Sequence, residues 1–203
     1  MPKLPHTFYN GDTVEIARAL LGKIIVRRYE DQLLALRITE TEAYVGRMDK
    51  ACHAYGYRKS PRNQVMFGPP GHAYIYLIYG MHCCLNLVTE PEGEPSAVLI
   101  RGGDAVLGTE TMARLRYGAA PSQFTAYQKK NFLNGPGKLC KALALDRTQN
   151  GADLIGEELW VIDDPADLGL ELPAETRPIL TGKRIGIDYA EEAIHFPWRF
   201  YYG

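Results

Sequence analysis

The sequence predicts an α+β fold built around a largely antiparallel sheet, because most of its apolar segments are short and are joined by tight turns. A second observation supports this class: apolar residues recur at helical spacing in only a few segments. Strands are predicted at residues 23–29, 33–41, 73–79, 82–89, 97–101, 158–162, 184–187 and 199–202.

Helices are predicted at residues 13–21, 108–116 and 136–145, where the spacing of apolar residues is helical. Asp12 or Thr13 provides the N-cap of the first helix, and Gly22 ends it. Residues 118–133 indicate a loop or an irregular helix. Residues 45–70 are rich in Gly, Arg, Lys and Pro and show little periodicity. A long segment of this kind inside a compact domain is usually functional or disordered.

Composition indicates one globular domain spanning residues 1–203. The chain is 46% hydrophobic and 23% charged, which excludes disordered, collagen-like and coiled-coil proteins. No apolar run approaches the roughly 18–20 residues of a membrane span, and the first residues contain no apolar signal core. Four cysteines are too few for a disulfide scaffold. We expect a cytoplasmic protein that is neither secreted nor membrane-bound.

The net charge of -1 conceals an uneven distribution along the chain. Residues 47–89 contain five basic residues against one acidic residue, and residues 102–150 contain seven against three. Residues 151–203 contain four basic residues against eleven acidic ones. Basic middle segments could form a positive face toward a nucleic acid. Mixing of the segments in space would leave no such face, and the sequence leaves both interpretations open.

Metal-binding and phosphate-binding signals are weak. Cys52, His53 and the run His82-Cys83-Cys84 offer soft ligands, but the sequence lacks the spacings of zinc sites. No metal and no cofactor is therefore predicted. Residues 134–138 (NGPGK) precede a predicted helix without the full P-loop spacing. They could hold one backbone phosphate at the helix N-terminus, or they could be a simple loop with Pro at the helix start.

Two carboxylates and a tyrosine alternate along one extended segment. Alternation places Glu40, Glu42 and Tyr44 on the same face. A solvent-facing sheet edge would explain this pattern. The basic loop that follows, with His53, favours a site in which a carboxylate acts as a general base. Burial would raise the pKa of such a group, and a nearby arginine would oppose that rise.

Three tyrosines occur in the predicted hairpin of residues 73–89. Tyr74 and Tyr76 share a face, where cross-strand packing would explain them. Tyr79 has the opposite parity and lies beside the turn, where a large side chain could insert between base steps and unstack DNA. Asn86 lies on the opposite face of its strand from the neighbouring leucines. It could read a base edge or satisfy a backbone group.

Six groups of motifs occur in order: ETEAYVG at 40–46, PRN at 61–63 with MF at 66–67, YIYLIYGM at 74–81 with Asn86, VLIR at 98–101, GPGKLC at 135–140 and RFY at 199–201. In identity and spacing they resemble the alkyladenine (N-methylpurine) DNA glycosylases. The resemblance runs from Ala17 through Tyr201, nearly the whole chain. It implies a single DNA glycosylase domain with a curved antiparallel sheet, flanking helices and a protruding β-hairpin.

The resemblance also implies roles for individual residues. Glu42 matches the general base that activates the attacking water, and Arg101 matches the arginine that helps to hold that water. Ile185 matches the position whose backbone carbonyl also holds it. The remaining matches are a base-binding pocket of Tyr44, His53, Tyr76 and Asn86, an intercalating tip of Tyr79 and Met81, and DNA-backbone contacts from Arg62, Gly137 and Lys138.

The reaction that the resemblance implies is monofunctional base excision. A damaged purine such as 3-methyladenine, 7-methylguanine, hypoxanthine or ethenoadenine is flipped out of double-stranded DNA. The activated water hydrolyses the N-glycosidic bond and leaves an abasic site without cutting the strand. The small size and single DNA face suggest a monomer. The alternatives are a non-catalytic duplex-DNA-binding module, an N-glycosyl hydrolase acting on other nucleosides, and a plain α+β scaffold.

Overall fold

One antiparallel sheet organises the chain, and the computed structural model describes it over residues 2–203. Its strands are β1 (Ile24–Tyr29), β2 (Gln32–Val45), β3 (Ala73–Ile78), β4 (His82–Thr89), β5 (Ser96–Leu107), β6 (Leu159–Ile162), β7 (Ile179–Gly182) and β8 (Arg199–Tyr202). The main order is β3-β4-β5-β2-β1-β6, and β8 pairs with both β2 and β7. Every one of these pairings is antiparallel. The predicted α+β class, with its curved antiparallel sheet, is confirmed.

The helices are short and cover part of the sheet. They are α1 (His6–Tyr9), α2 (Thr13–Ala19), α3 (Thr109–Tyr117), α4 (Ala126–Lys130) and α5 (Pro136–Ala142). Asp12 is the N-cap of α2, since its carboxylate accepts the backbone N–H groups of Val14 and Glu15. The segment predicted as a loop or irregular helix contains α4. Within residues 2–203, no helix is long and apolar enough to cross a membrane.

Strand alternation gives the sheet two different buried faces. On one face, leucine and isoleucine side chains such as Leu36, Leu85 and Leu87 pack with residues of α2 and α5 in the main core. On the other face, Tyr74 packs in a smaller cluster with Met66, which comes from the long loop between β2 and β3. The smaller cluster is where the candidate site lies, so the loop rich in Gly, Arg, Lys and Pro serves as its cover.

The longest strand, β2, connects the separate parts of the sheet. It pairs with β1 and β5 along its length, and residues 40–42 also pair with β8. The register against β5 shifts between Ile38 and Glu40 and again between Glu40 and Thr41. Such irregularities bend a strand and redirect its side chains. They occur immediately before Glu42, where β2 meets the C-terminal strand.

The predicted strand at 184–187 is wrong. The strand that pairs with β8 is β7, at Ile179–Gly182, and residues 183–190 are irregular. Two features explain the difference. Gly186 has a φ of 76°, which a regular strand does not use. The backbone N–H of Ile185 is bonded to the side chain of Glu42 rather than to a neighbouring strand.

The end of β2 leaves no room for a side chain at Gly46. Its N–H donates to the carbonyl oxygen of Pro95 at 3.0 Å, and an added Cβ would lie 2.1 Å from that oxygen. We expect Gly46→Ala to lower the free energy of unfolding by about 1–3 kcal/mol, because backbone on both sides must shift. Urea unfolding followed by circular dichroism measures the change.

Gly11→Ala is the matched control, because its added Cβ would only touch Ile16, at 3.8 Å. The control should stay within about 0.5 kcal/mol of the wild type. Equal free energies of unfolding for the two variants would contradict the close approach at Gly46.

Candidate active site

A cavity of about 400 Å³ opens beside the β3–β4 hairpin. Its walls come from β2, β3, β4 and β5, from the loop between β2 and β3, and from the irregular segment 183–190. Most of the residues singled out from the sequence line it, namely Tyr44, His53, Arg62, Tyr76, Tyr79, Asn86, Arg101 and Ile185.

Glu42 has no solvent-exposed surface and is held by two hydrogen bonds and one ion pair. The hydroxyl of Tyr44, two residues along β2, donates to Oε2 at 2.7 Å. The backbone N–H of Ile185 donates to Oε1 at 2.8 Å. Arg101 on β5 forms an ion pair with the same oxygen, with Nε 3.3 Å away. All three contacts stabilise the ionised carboxylate.

Burial raises the pKa of Glu42 above its usual value, and the surrounding groups only partly oppose the rise. The charge of Arg101 and the hydrogen bonds from Tyr44 and Ile185 each lower this pKa, while the neighbouring carboxylate of Glu40 raises it. A carboxylate with a raised pKa is a stronger base than an exposed one. The site therefore holds a carboxylate that can take a proton from a bound group.

Arg101 connects Glu42 to a second carboxylate on the same face. Its Nε donates to Glu40 Oε1 at 3.1 Å, and Arg199 of β8 donates to the same oxygen at 3.0 Å. The prediction that Glu40, Glu42 and Tyr44 share a face is therefore confirmed. The alternative of a solvent-facing edge is wrong for Glu42, which is fully buried.

One wall of the cavity is aromatic. The rings of Tyr74 and Tyr76 are 5.4 Å apart between centroids, so the predicted shared face is confirmed. The ring of His53 meets that of Tyr76 edge-on at 4.5 Å, and His53 Nδ1 is 2.9 Å from the hydroxyl of Tyr74. The backbone carbonyl of His53 accepts Asn63 Nδ2 at 2.9 Å, which fixes the loop carrying the histidine. The wall offers flat surfaces for stacking.

Asn86 is buried at the inner end of the cavity. Its Nδ2 donates to the backbone carbonyl of Tyr74 at 3.0 Å, across the pairing of β3 with β4. Because that bond holds the amide against the sheet, the side chain has a fixed orientation toward the cavity.

The tip of the β3–β4 hairpin presents two large apolar side chains to solvent. Tyr79 is 84% exposed and Met81 is 71% exposed. Tyr79 has a φ of 53°, which is uncommon for a residue other than glycine, and Gly80 follows with 69°. Exposed aromatic and thioether groups on a strained turn have no packing role, so the tip is suited to contact another molecule.

The three residues predicted to contact the DNA backbone differ in their surroundings. Arg62 lines the cavity, with its guanidinium 5.0 Å from the ring of Tyr76. Gly137 abuts His82 of β4, since an added Cβ would lie 3.0 Å away. Lys138 Nζ donates to the side-chain oxygens of Asn131 and Asn134 at 2.7 and 2.8 Å. This ammonium group is therefore bound within its own loop.

Two residues at the site carried no predicted role. Arg184 and Asp49 form an ion pair whose side chains are both fully buried, with Nη2 2.7 Å from Oδ1. Asp49 could have been noticed in the sequence, because it is the one acidic residue in the basic stretch of residues 47–89. Arg184 was visible only as the residue before Ile185.

Comparison with known proteins shows the family of the chain. The family model of methylpurine-DNA glycosylase matches residues 7–203. Three curated relatives share the name "Putative 3-methyladenine DNA glycosylase". The protein from Desulfitobacterium hafniense is 47% identical over 99% of this chain and 95% of its own. Those from Alkaliphilus oremlandii and Methanocella arvoryzae are 49% and 50% identical, over 98% and 99% of this chain and 95% and 92% of theirs.

A fold and a site of this kind, matched over nearly the full length, define a hydrolase of the DNA glycosylase class. Within that class, the chain belongs to the methylpurine-DNA glycosylase family. The resemblance found in the sequence motifs is thereby confirmed.

His53 should remain neutral across the physiological range. Burial, and secondarily the charge of Arg62, lowers its pKa from 6.5 to about 4. The unfolded chain binds a proton at His53 near pH 6.5, whereas the folded protein does so only near pH 4. The free energy of unfolding therefore falls as the pH is lowered from 6.5 toward 4. NMR titration of labelled imidazole should give a midpoint near pH 4.

Arg62→Gln provides the control for that titration. It should raise the midpoint without restoring 6.5, because burial is the larger cause. A wild-type midpoint near 6.5 would contradict a buried neutral histidine in the cavity wall.

Proposed function

We propose that this protein excises damaged purines from double-stranded DNA by flipping the nucleotide into the cavity and hydrolysing its N-glycosidic bond. The observation that carries the proposal is the fully buried Glu42, held by two hydrogen bonds and an ion pair beside an aromatic cavity. The water activated by Glu42 replaces the base and leaves an abasic site. The strand stays intact.

Base flipping is supported by the hairpin tip next to the cavity. A base stacked inside a duplex cannot be attacked, so the nucleotide must rotate out at a cost of a few kcal/mol. We assign Tyr79 and Met81 to the gap that the nucleotide leaves, because both are exposed at the hairpin tip and Tyr79 also lines the cavity. A wedge of this kind stabilises the opened duplex. Damaged pairs open at a lower cost, which favours lesions over normal bases.

The aromatic wall would then hold the flipped base. Stacking on an aromatic side chain contributes about 1–3 kcal/mol per base, which offsets much of the flipping cost. We assign Tyr76 to one face of the base and Tyr44 to the other. The ring of His53 meets that of Tyr76 edge-on at 4.5 Å, which leaves no room for a base between these two rings, so we assign His53 to the edge of the base. Cationic purines such as 3-methyladenine and 7-methylguanine gain further from electron-rich rings. Asn86, fixed by its bond to Tyr74, would clash with the 2-amino group of guanine, so 7-methylguanine, which keeps that group, would be accepted less readily than 3-methyladenine.

The chemistry follows from the ionised state of Glu42. The carboxylate removes a proton from water as the oxygen attacks C1′, while the bond to the base breaks and its electron pair leaves with the base. The sugar gains oxocarbenium character, which the same negative charge stabilises. Arg101 and the carbonyl of Ile185 orient the water. Among the described residues that line the cavity there is no lysine, so hydrolysis is favoured over a Schiff-base lyase reaction.

Duplex DNA with damaged purines is the proposed partner. Arg62, Gly137 and Lys138 are the proposed contacts to the DNA backbone, beside the tip. The carboxylate, its donors and the aromatic wall all come from one chain, so a monomer has a complete site. Hypoxanthine and ethenoadenine are neutral leaving groups and therefore depend more heavily on the enzyme than cationic purines do.

Hydrolysis of free nucleosides is the second candidate, because an aromatic cavity with a basic carboxylate would also suit them. The exposed Tyr79 favours the duplex, since a wedge has no use on a free nucleoside.

Glu42→Gln should abolish excision and preserve binding of a lesion-containing duplex. The amide keeps the shape of the carboxylate but cannot accept the proton, and loss of a general base lowers the rate by about 10²–10⁴-fold. The assay uses a duplex with one hypoxanthine, and alkali reveals the abasic sites. The control variant is Glu15→Gln, at an exposed position on α2, and it should excise the base at the wild-type rate. Unchanged turnover by Glu42→Gln would remove Glu42 as the base.

Tyr79→Ala separates the two candidate functions. It should greatly reduce excision from the duplex, because the wedge that holds the helix open is lost. It should leave any hydrolysis of a free nucleoside unchanged, because Tyr79 is mostly exposed and makes no contact with Glu42. Equal rates for Tyr79→Ala and the wild type on the duplex would favour a nucleoside hydrolase.

A further inference from the structure

Arg184 makes four polar contacts through a side chain that is fully buried. It forms a two-point ion pair with Asp49, whose Oδ1 and Oδ2 each accept one guanidinium nitrogen. The same nitrogens donate to the backbone carbonyls of Ala43 at 2.8 Å and Ala193 at 3.2 Å. Asp49 also accepts the backbone N–H groups of Val45 and Ala51, at 3.3 and 2.9 Å. The pair thus joins the end of β2, the loop after it and the irregular C-terminal segment.

This pair also touches both neutral donors of Glu42. The guanidinium lies 4.7 Å from the ring of Tyr44, whose hydroxyl donates to Oε2 of Glu42. Ile185, whose N–H donates to Oε1, is the next residue after Arg184 in the chain. The segment that carries Ile185 has no strand ladder to hold it. Its position beside Glu42 therefore depends on side-chain anchors.

We propose that Arg184 and Asp49 are a pair of positioning residues that holds the Tyr44 hydroxyl and the Ile185 N–H on the carboxylate of Glu42. Neither residue lines the cavity, so neither touches the substrate. The inference rests on the proposed function, in which Glu42 is the general base, and adds the two residues that set its orientation and its basicity.

A gain in folding stability does not by itself explain the buried ion pair of Arg184 and Asp49. Two charges taken out of water lose several kcal/mol each in solvation, and apolar residues of similar volume are often as stable. A planar guanidinium, however, fixes directions, because its donors form a rigid fork. Here the fork spans two carbonyls and one carboxylate at once. An apolar replacement would fill the space without fixing the angle at which Ile185 meets Glu42.

The pH dependence of excision reports on the positioning. Three charged or titratable groups face Glu42 directly, namely Glu40 and Tyr44 on β2 and Arg101 on β5. Two more act indirectly, since Arg199 on β8 donates to Glu40 and Arg184 lies against Tyr44. The cleavage rate should rise with pH as Glu42 loses its proton. Hydrogen bonds from Tyr44 and Ile185 lower its pKa. If those donors move away, the pKa of Glu42 rises. The low-pH side of the rate profile, called the acid limb below, then shifts to higher pH.

Two variants separate positioning from simple electrostatics. Arg184→Lys keeps the positive charge but loses the fork, so electrostatics alone predicts little shift of the acid limb. Asp49→Asn removes a negative charge and keeps the shape, so electrostatics alone predicts a limb at lower pH. Positioning predicts a limb at higher pH in both variants. It also predicts a single-turnover rate about 100-fold lower at neutral pH, with lesion-duplex binding preserved.

Arg27→Lys is the matched control for a buried arginine. Arg27 lies on β1, is nearly fully buried and is paired with Glu158 at 2.9 Å, away from the cavity. It should lose stability yet keep the wild-type rate and acid limb. The assay follows excision of hypoxanthine from a duplex under single-turnover conditions across pH, with urea unfolding and duplex binding measured for each variant.

Wild-type rates and limbs in folded Arg184→Lys and Asp49→Asn would overturn the positioning role while leaving the proposed function intact. A limb at lower pH in Asp49→Asn would likewise overturn it. If Arg184→Lys does not fold, Asp49→Asn decides by the direction of its limb. Absence of excision by the wild type would overturn the proposed function, and this inference with it.

Discussion

Glu42 is fully buried, and the general-base role that we propose for it requires its carboxylate to stay ionised, so the groups around it must replace the lost water. A carboxylate removed from water costs several kcal/mol unless donors and opposite charges replace the lost solvation. Those groups are a hydroxyl from the same strand, a backbone N–H from the irregular segment 183–190 and the charge of a guanidinium from β5. The sheet, its neighbour β8 and that segment must therefore meet at one point.

The two kinds of backbone supply different parts of the site. Regular alternation along β2 puts Tyr44 beside Glu42, and strand pairing brings Arg101 across from β5. Paired strands commit most of their N–H groups to the ladder, so irregular backbone more readily has an N–H to offer a side chain. The segment containing Ile185 supplies it. The protein thus combines a rigid sheet with one segment that pairs with no strand. Side-chain bonds must hold that segment in place.

Much of this arrangement was accessible from the sequence. Period-two alternation predicted the shared faces of Glu42 with Tyr44 and of Tyr74 with Tyr76, and the hairpin ends close to where its turn residues indicate. The predicted strand at 184–187 was wrong because alternating Ile and Gly residues mimic a strand, while the φ of Gly186 and the bond to Glu42 depend on the tertiary structure. The pairing of Arg184 with a carboxylate far away in the sequence leaves no local signal. The roles of the site residues came from the resemblance, not from periodicity.

The order in which the chain emerges during synthesis gives the segment around Ile185 a further significance. The hairpin with Tyr79, the carboxylate and the aromatic wall all belong to the first half of the chain, whereas one donor to Glu42 lies near its C-terminal end. A nascent chain can therefore form the hairpin tip, which we propose engages a duplex, before Glu42 has received the N–H of Ile185. Under the proposed mechanism, a chain that has not reached Ile185 lacks one of the two hydrogen bonds that orient its base.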